Sequence, residues 1–137
     1  MQIGKQLEDK GYRALPFPPT GFGYRHEEFI YADFLHKHAA VAAGLGELGL
    51  NRLFISPQFS SHQRLVSIIT NAPLDPDPMY TGPKLCNRKE CRDSCLNICP
   101  MKAFTEKMIS VKIGDNIYEY RELDSVLCLW HTVGENT

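Results

Sequence analysis

The sequence has no excess of charge of either sign. Its 15 Lys and Arg stand against 16 Asp and Glu, a formal net charge of −1 over 137 residues. That removes the electrostatic footprint of a dedicated nucleic-acid binder, so no stable nucleic-acid binding is expected. It also lacks any apolar run near the roughly 18 residues that a membrane span needs, and no membrane partner is expected. The first residues, MQIGKQLEDKGYR, show no apolar run after their charges. They do not read as a secretory signal, and a reducing, cytoplasmic compartment is the expectation. Internal repeats and low-complexity tracts are missing. So are H-E-x-x-H and G-x-S-x-G, which leaves a zincin and a serine hydrolase without support despite Ser56, Ser60, Ser61 and Ser67. What remains is a globular composition, 43% hydrophobic and 23% charged, sufficient to build a core. The length suits one domain rather than two.

Residues 3–10 read as a short helix stopped by Gly11, followed by a strand in YRALPF and a breaker-rich loop, PPTGFG. From about Glu27 to Leu45 the pattern favours helix, ending in HAAVAAGL. Residues 52–56 (RLFIS) and 64–70 (RLVSIIT) are apolar, β-branched runs that read as a hairpin or a strand–loop–strand pair. Residues 71–85 hold four of the nine prolines and read as an irregular connector. ISVKIGDNIYEY is a second hairpin candidate with its turn at Gly-Asp-Asn. LDSVLCLWHTV begins a helix near Leu123 or Asp124.

GLGELG at 44–49 matches G-x-G-x-x-G letter for letter. A dinucleotide fingerprint needs a strand before it and a helix after it, so that the helix N-terminus meets the pyrophosphate. Here a helix precedes and an apolar strand follows, and the dipole presented has the wrong sign for phosphate. The stretch is therefore read as a helix stop that lets backbone pack closely, not as an NAD(P)H site. His36 and His38, two apart, face different directions on a helix. His26, His62 and His131 are scattered, and most of the histidines read as surface or packing residues. Asp75 and Asp77 alternate with prolines and read as a solvated turn rather than an acid/base pair.

Cysteine is the informative residue. Four of the five lie within fourteen positions, as Cys86-NRKE-Cys91-RDS-Cys95-LNI-Cys99-Pro100, and the fifth is Cys128. An odd number in a reducing compartment argues against a disulfide framework. Cys91, Cys95 and Cys99, each separated by three residues, would share one face of a helix. Thiolates are soft ligands for iron–sulfur clusters or zinc. The ending Cys95-x3-Cys99-Pro100 matches the close of the bacterial ferredoxin run C-x2-C-x2-C-x3-C-P, although the first two gaps are wider here. Zinc sites usually pair two close cysteines with a distant second pair, so the packed run fits iron–sulfur better.

The stretch HAAVAAGLGELGLNRLFISPQFSSHQRLVSIITNAPL at 38–74, together with the cysteine run, resembles the core of epoxyqueuosine reductases and the related corrinoid reductive dehalogenases. AGLGELGLN is similar to the family's AGLG-x-x-G-x-N stretch. HAAVAAGLGE is closer to the dehalogenase form. The resemblance covers roughly residues 5–130 and the middle of a family member. It implies an α+β fold: part of a nitroreductase-like α/β domain over 1–80 that holds cobalamin, then a ferredoxin-like iron–sulfur segment over 81–137. It implies 4Fe-4S clusters that pass electrons to the cobalt, and it places Gly44, Gly46, Gly49 and Asn51 at the cofactor. By the family pattern Cys86, Cys91 and Cys95 serve one cluster, while Cys99 and Cys128 belong to a second. Reach supports the same split, because Cys86 can fold back through NRKE while Pro100 turns the chain away. Two complete clusters need eight thiolates, so five complete one at most. Asp33 is offset by three positions from the family's catalytic Asp and is given no catalytic role.

The reading is an iron–sulfur electron-transfer segment of a cobalamin-dependent reductase-like protein. Its partners would be an electron-donor protein and a small-molecule or modified-nucleoside substrate, with a homo-oligomer open. The alternatives are a non-enzymatic module handing electrons to a partner and a zinc-stabilised binding domain of the same fold.

Overall fold

A computed structural model describes residues 2–19, 25–26, 29–30 and 34–128. Asp33 and His131 lie outside them, as do the end of the C-terminal helix candidate and much of the PPTGFG loop. The first helix, α1 (Gln2–Asp9), stops where expected. Gly11 takes φ +86°, and the amides of Gly11 and Tyr12 reach back to the carbonyls of Glu8 and Leu7. This is a left-handed glycine closing a helix through paired backward bonds. Strand β1 (Ala14–Phe17) follows.

The long helix expected over 27–45 is corrected to α2 (His36–Ala42). Before it, β2 (Arg25–His26) and β3 (Phe29–Ile30) pair antiparallel. Phe29 and Ile30 favour extended backbone, and Leu35 enters α2 with non-helical dihedrals. The helix ends as the glycines predict. Gly44 has φ +75°, and the Gly44 and Leu45 amides bond to the carbonyls of Val41 and Ala40. A strand not anticipated, β4 (Glu47–Leu48), then pairs antiparallel with β5 (Phe54–Ile55). The expected strand over 52–56 is thus shorter, because Arg52 turns at φ 64°.

The second apolar run forms β6 (Ser67–Thr70), but it does not pair with its neighbour in sequence. It lies antiparallel to β1, with Ala14 opposite Thr70 and Phe17 opposite Ser67. The chain between β5 and β6 is instead closed by the Ser56–Ser60 bridge, with the buried Ser56 hydroxyl donating to Gln63. Residues 71–87 form no helix or strand, as the prolines predict. The helix expected through the cysteines is broken into α3 (Arg88–Cys91) and α4 (Ser94–Asn97). The C-terminal hairpin is β7 (Phe104–Ile113) and β8 (Asn116–Leu123), turning at Gly114 and Asp115. Asp124 then caps a helical turn over 125–128 through bonds from the Val126 and Leu127 amides.

The architecture is mixed α+β, with four two-stranded antiparallel ladders among the described residues. The core forms where α2, the β4–β5 hairpin and β8 meet. Ala40, Val41, Leu48, Phe54 and Tyr120 are buried there, with Leu65, Met79 and Val111 among the side chains packed around them. Arg52 covers the Tyr120 ring at 5.3 Å, and Arg121 N donates to Leu50 O at 2.8 Å. These contacts tie the hairpin to the turn after β4. No described helix is long and apolar enough to cross a membrane.

Candidate metal centre

The cysteine run begins where the connector meets the core. Glu47, on β4, projects its carboxylate at the backbone of residues 85 and 86. Its Oε1 accepts the Leu85 amide at 2.7 Å and the Cys86 amide at 2.6 Å. From the turn beyond β4, the Leu50 amide donates to Cys86 Sγ at 3.4 Å. Cys86 is therefore half-buried, held at both backbone and sulfur. It lies on the wall of a cleft of about 630 Å³ that also takes in Leu50, Tyr80, Arg88 and Tyr118. Cys86 also lines a second cleft with Lys84, Arg88, Lys89 and Asp93.

Beyond Cys86 the chain is held by local polar contacts. Arg92 and Asp93 both adopt left-handed backbone, with φ 49° and 55°, and this breaks the helix between Cys91 and Cys95. The shared helical face predicted for Cys91, Cys95 and Cys99 is thereby overturned. The kink is fastened by a two-pronged pair, Arg88 Nε to Asp93 Oδ1 at 3.0 Å and Nη2 to Oδ2 at 2.9 Å. Ser94 Oγ donates to Cys91 O, and Asn97 Nδ2 to Arg92 O. The Asp93 partner raises the Arg88 guanidinium above its ordinary range, with the thiols of Cys86 and Cys91 adding smaller contributions. Arg88 in turn lowers the Asp93 carboxyl.

Partial burial raises the Cys95 thiol, and the charges of Cys86 and Cys91 raise it further. Cys91 is exposed, whereas Cys86, Cys95, Cys99 and Cys128 are half-buried. On α2, burial and then the Arg52 charge lower the Lys37 ammonium, and a smaller influence of Cys128 opposes them. Among the described residues, no group of three or more His, Cys, Asp or Glu is arranged so that it could hold a metal ion as it stands.

The other singled-out residues have internal roles. A Cβ on Gly44 would lie 2.1 Å from Pro78 O, one on Gly46 2.0 Å from Ile55 O, and one on Gly49 2.8 Å from Ile55 Cδ1. Asn51 Oδ1 accepts the Leu53 amide at 3.1 Å, closing its own turn. His36 bridges α2 to the β1–β6 pair, with Nδ1 2.8 Å from Ser67 Oγ and Nε2 2.9 Å from Pro18 O. That is a packing role, as its spacing predicts. His62, Asp75 and Asp77 are exposed. Sequence reasoning missed Glu47 and the left-handed pair at 92–93. The available signal for Glu47 was its position as the single charged residue in GLGELG.

The chain matches no protein-family model. It is 41% identical over 69 residues to the tetrachloroethene reductive dehalogenase of Sulfurospirillum multivorans. That alignment takes in 49% of this chain and 13% of the relative's length. The likeness is local and lies on the dehalogenase side of the resemblance read from the sequence, so the chain is related in part to a reductive dehalogenase.

Proposed function

We propose that this chain is the iron–sulfur electron-transfer segment of a corrinoid reductive dehalogenase-like protein. In this reading Cys86, Cys91 and Cys95 are three of the four ligands of one 4Fe-4S cluster, and Cys99 and Cys128 lean towards a second centre. The observation that carries it is the run of four cysteines between positions 86 and 99, whose first member is held at its backbone by Glu47 and at its sulfur by the Leu50 amide. The local likeness to the dehalogenase adds the chemical class. The donor set fits such a cluster. The ligands are soft thiols, and Cys86 Sγ already accepts an N–H bond of the kind that tunes cluster potentials. Because no metal group is assembled among the described residues as the side chains stand, ligand binding and ordering of the segment are coupled in this proposal.

A cluster held there would take up and release single electrons. The chain's own part is to orient the thiols: the core fixes Cys86, and the Arg88–Asp93 pair fixes the α3–α4 kink. The nitroreductase-like setting, the corrinoid, the electron-donor protein and a halogenated organic substrate extend the reading to a longer protein. The experiment is anaerobic purification with analysis of iron, sulfide, zinc and cobalt. About four iron and four sulfide per chain is the expected result. Stoichiometric zinc without sulfide overturns it and leaves the zinc-stabilised binding domain.

A further inference from the structure

Cys86 differs from the other cysteines in what holds it. Glu47 Oε1 receives two backbone amides, those of Leu85 and Cys86, at 2.7 and 2.6 Å. Three residues along, the Leu50 amide meets Cys86 Sγ. Both grips come from one small platform. Leu48 and Leu50 are 6% and 3% exposed, β4 is paired to β5, and Leu50 O receives the Arg121 amide from the β7–β8 hairpin. In contrast, residues 87–102 contain no buried residue. One half-buried thiol is therefore tied to the core by these bonds, while Cys91 and Cys95 lie on a segment without a buried residue.

An ionised carboxylate accepting two amides forms charge-assisted bonds, stronger than neutral ones. The backbone of Glu47 is held by its β5 ladder, whatever its side chain does. The carboxylate's hydrogen bonds go to residues 85 and 86, so its effect falls on the approach to Cys86. We infer that Glu47 is a positioning residue for the metal centre: it locks the backbone of Leu85 and Cys86 so that Leu50 N–H stays aimed at the Cys86 sulfur. Cys86 then serves as a preset ligand, and the α3–α4 loop closes onto it. The inference rests on the reading of Cys86 as a ligand, but its first consequence is visible in the metal-free chain.

The test uses the full chain with Glu47→Met, which removes the acceptor, and Glu47→Gln, which keeps an oxygen in place without the charge. Amide exchange is read on the metal-free proteins, followed by iron content and paramagnetic resonance after anaerobic reconstitution. Glu47→Met should speed exchange at Leu85 and Cys86 by about tenfold while leaving Tyr120 protected. On reconstitution it should hold less than about half the wild-type iron, with an altered resonance signal, and Glu47→Gln should recover most of both. Unchanged exchange at residues 85 and 86 in Glu47→Met overturns the inference. If that variant loses the Tyr120 protection, Glu47→Gln decides. Near-wild-type exchange and iron then support the positioning role, and loss of fold in both variants makes Glu47 a structural residue and overturns it. If the wild-type chain takes up no iron, the cluster reading fails separately, and the metal-free exchange still judges the lock.

Discussion

At the scale of single residues, the five cysteines are not equivalent. Cys86 is set by the Glu47–Leu50 platform, Cys91 and Cys95 flank the kink between α3 and α4, and Cys128 lies in the helical turn over 125–128. Cys86→Ser, Cys91→Ser and Cys95→Ser should each abolish the same resonance signal after reconstitution. Cys99→Ser should leave that signal largely intact; if it removes the signal too, the four clustered cysteines form one site. His38 makes a different prediction. Partial burial, then the Lys37 and Arg52 charges, hold its imidazole below the ordinary histidine value of 6.5. The unfolded chain therefore binds this proton more readily than the folded one. The stability involved is fully present above about pH 6.5 and is lost as pH falls through the folded-state value. Denaturant midpoints measured from about pH 8 down to about pH 5 should fall less steeply for His38→Gln than for the wild type.

Among the elements, glycine shows how one residue type acts through two mechanisms. Gly11 closes α1 with positive φ and nothing within 4 Å of an added Cβ, so Gly11→Ala should cost only the backbone strain, about 1 kcal/mol. Gly46 lies in the turn into β4, and an added Cβ would sit 2.0 Å from the carbonyl oxygen of Ile55. Backbone cannot step aside cheaply, and Gly46→Ala should cost about 3 kcal/mol. Thermal melts of the two variants check the ranking, and equal losses would refute the close-packing account. Because β4 also carries Glu47, Gly46→Ala should loosen the Leu85 and Cys86 amides as well. Damage to the glycine stretch would then reach the cysteine run without touching a cysteine.

Considered as a whole, the molecule places its core and its candidate centre on the same junction. Tyr120 of β8 completes a cluster otherwise built from α2, β4 and β5, and the β8 backbone bonds to the turn that meets Cys86. The cysteine loop itself contributes little to that core: Ile98 is 80% exposed. The metal-free chain should therefore keep the core while residues 87–102 exchange rapidly. Reconstitution should slow exchange in that loop by at least about tenfold, and oxidative removal of the cluster should restore the fast rate. Hydrogen exchange read by mass spectrometry checks this. A loop that stays fast after full iron loading would separate metal binding from ordering.

What the sequence determined by itself is local chemistry. Gly11 and Gly44 end their helices because left-handed backbone is open to glycine at small cost. The prolines keep 71–87 out of regular structure, and the alternation around Gly114 and Asp115 makes a hairpin. The crowding of four thiols announced a candidate metal segment before any geometry was known. Tertiary structure decided the rest. β6 pairs with β1 rather than with β5, because strand partners are chosen by the packing of whole surfaces and not by sequence distance. The evenly spaced cysteines do not share a helix, since the Arg88–Asp93 pair and the positive φ at Arg92 and Asp93 outweigh a weak helical preference over so short a run. The hold of Glu47 on Cys86 joins residues 39 positions apart. No local pattern encodes such a contact; it exists only once β4 has been fixed against β5 and the hairpin.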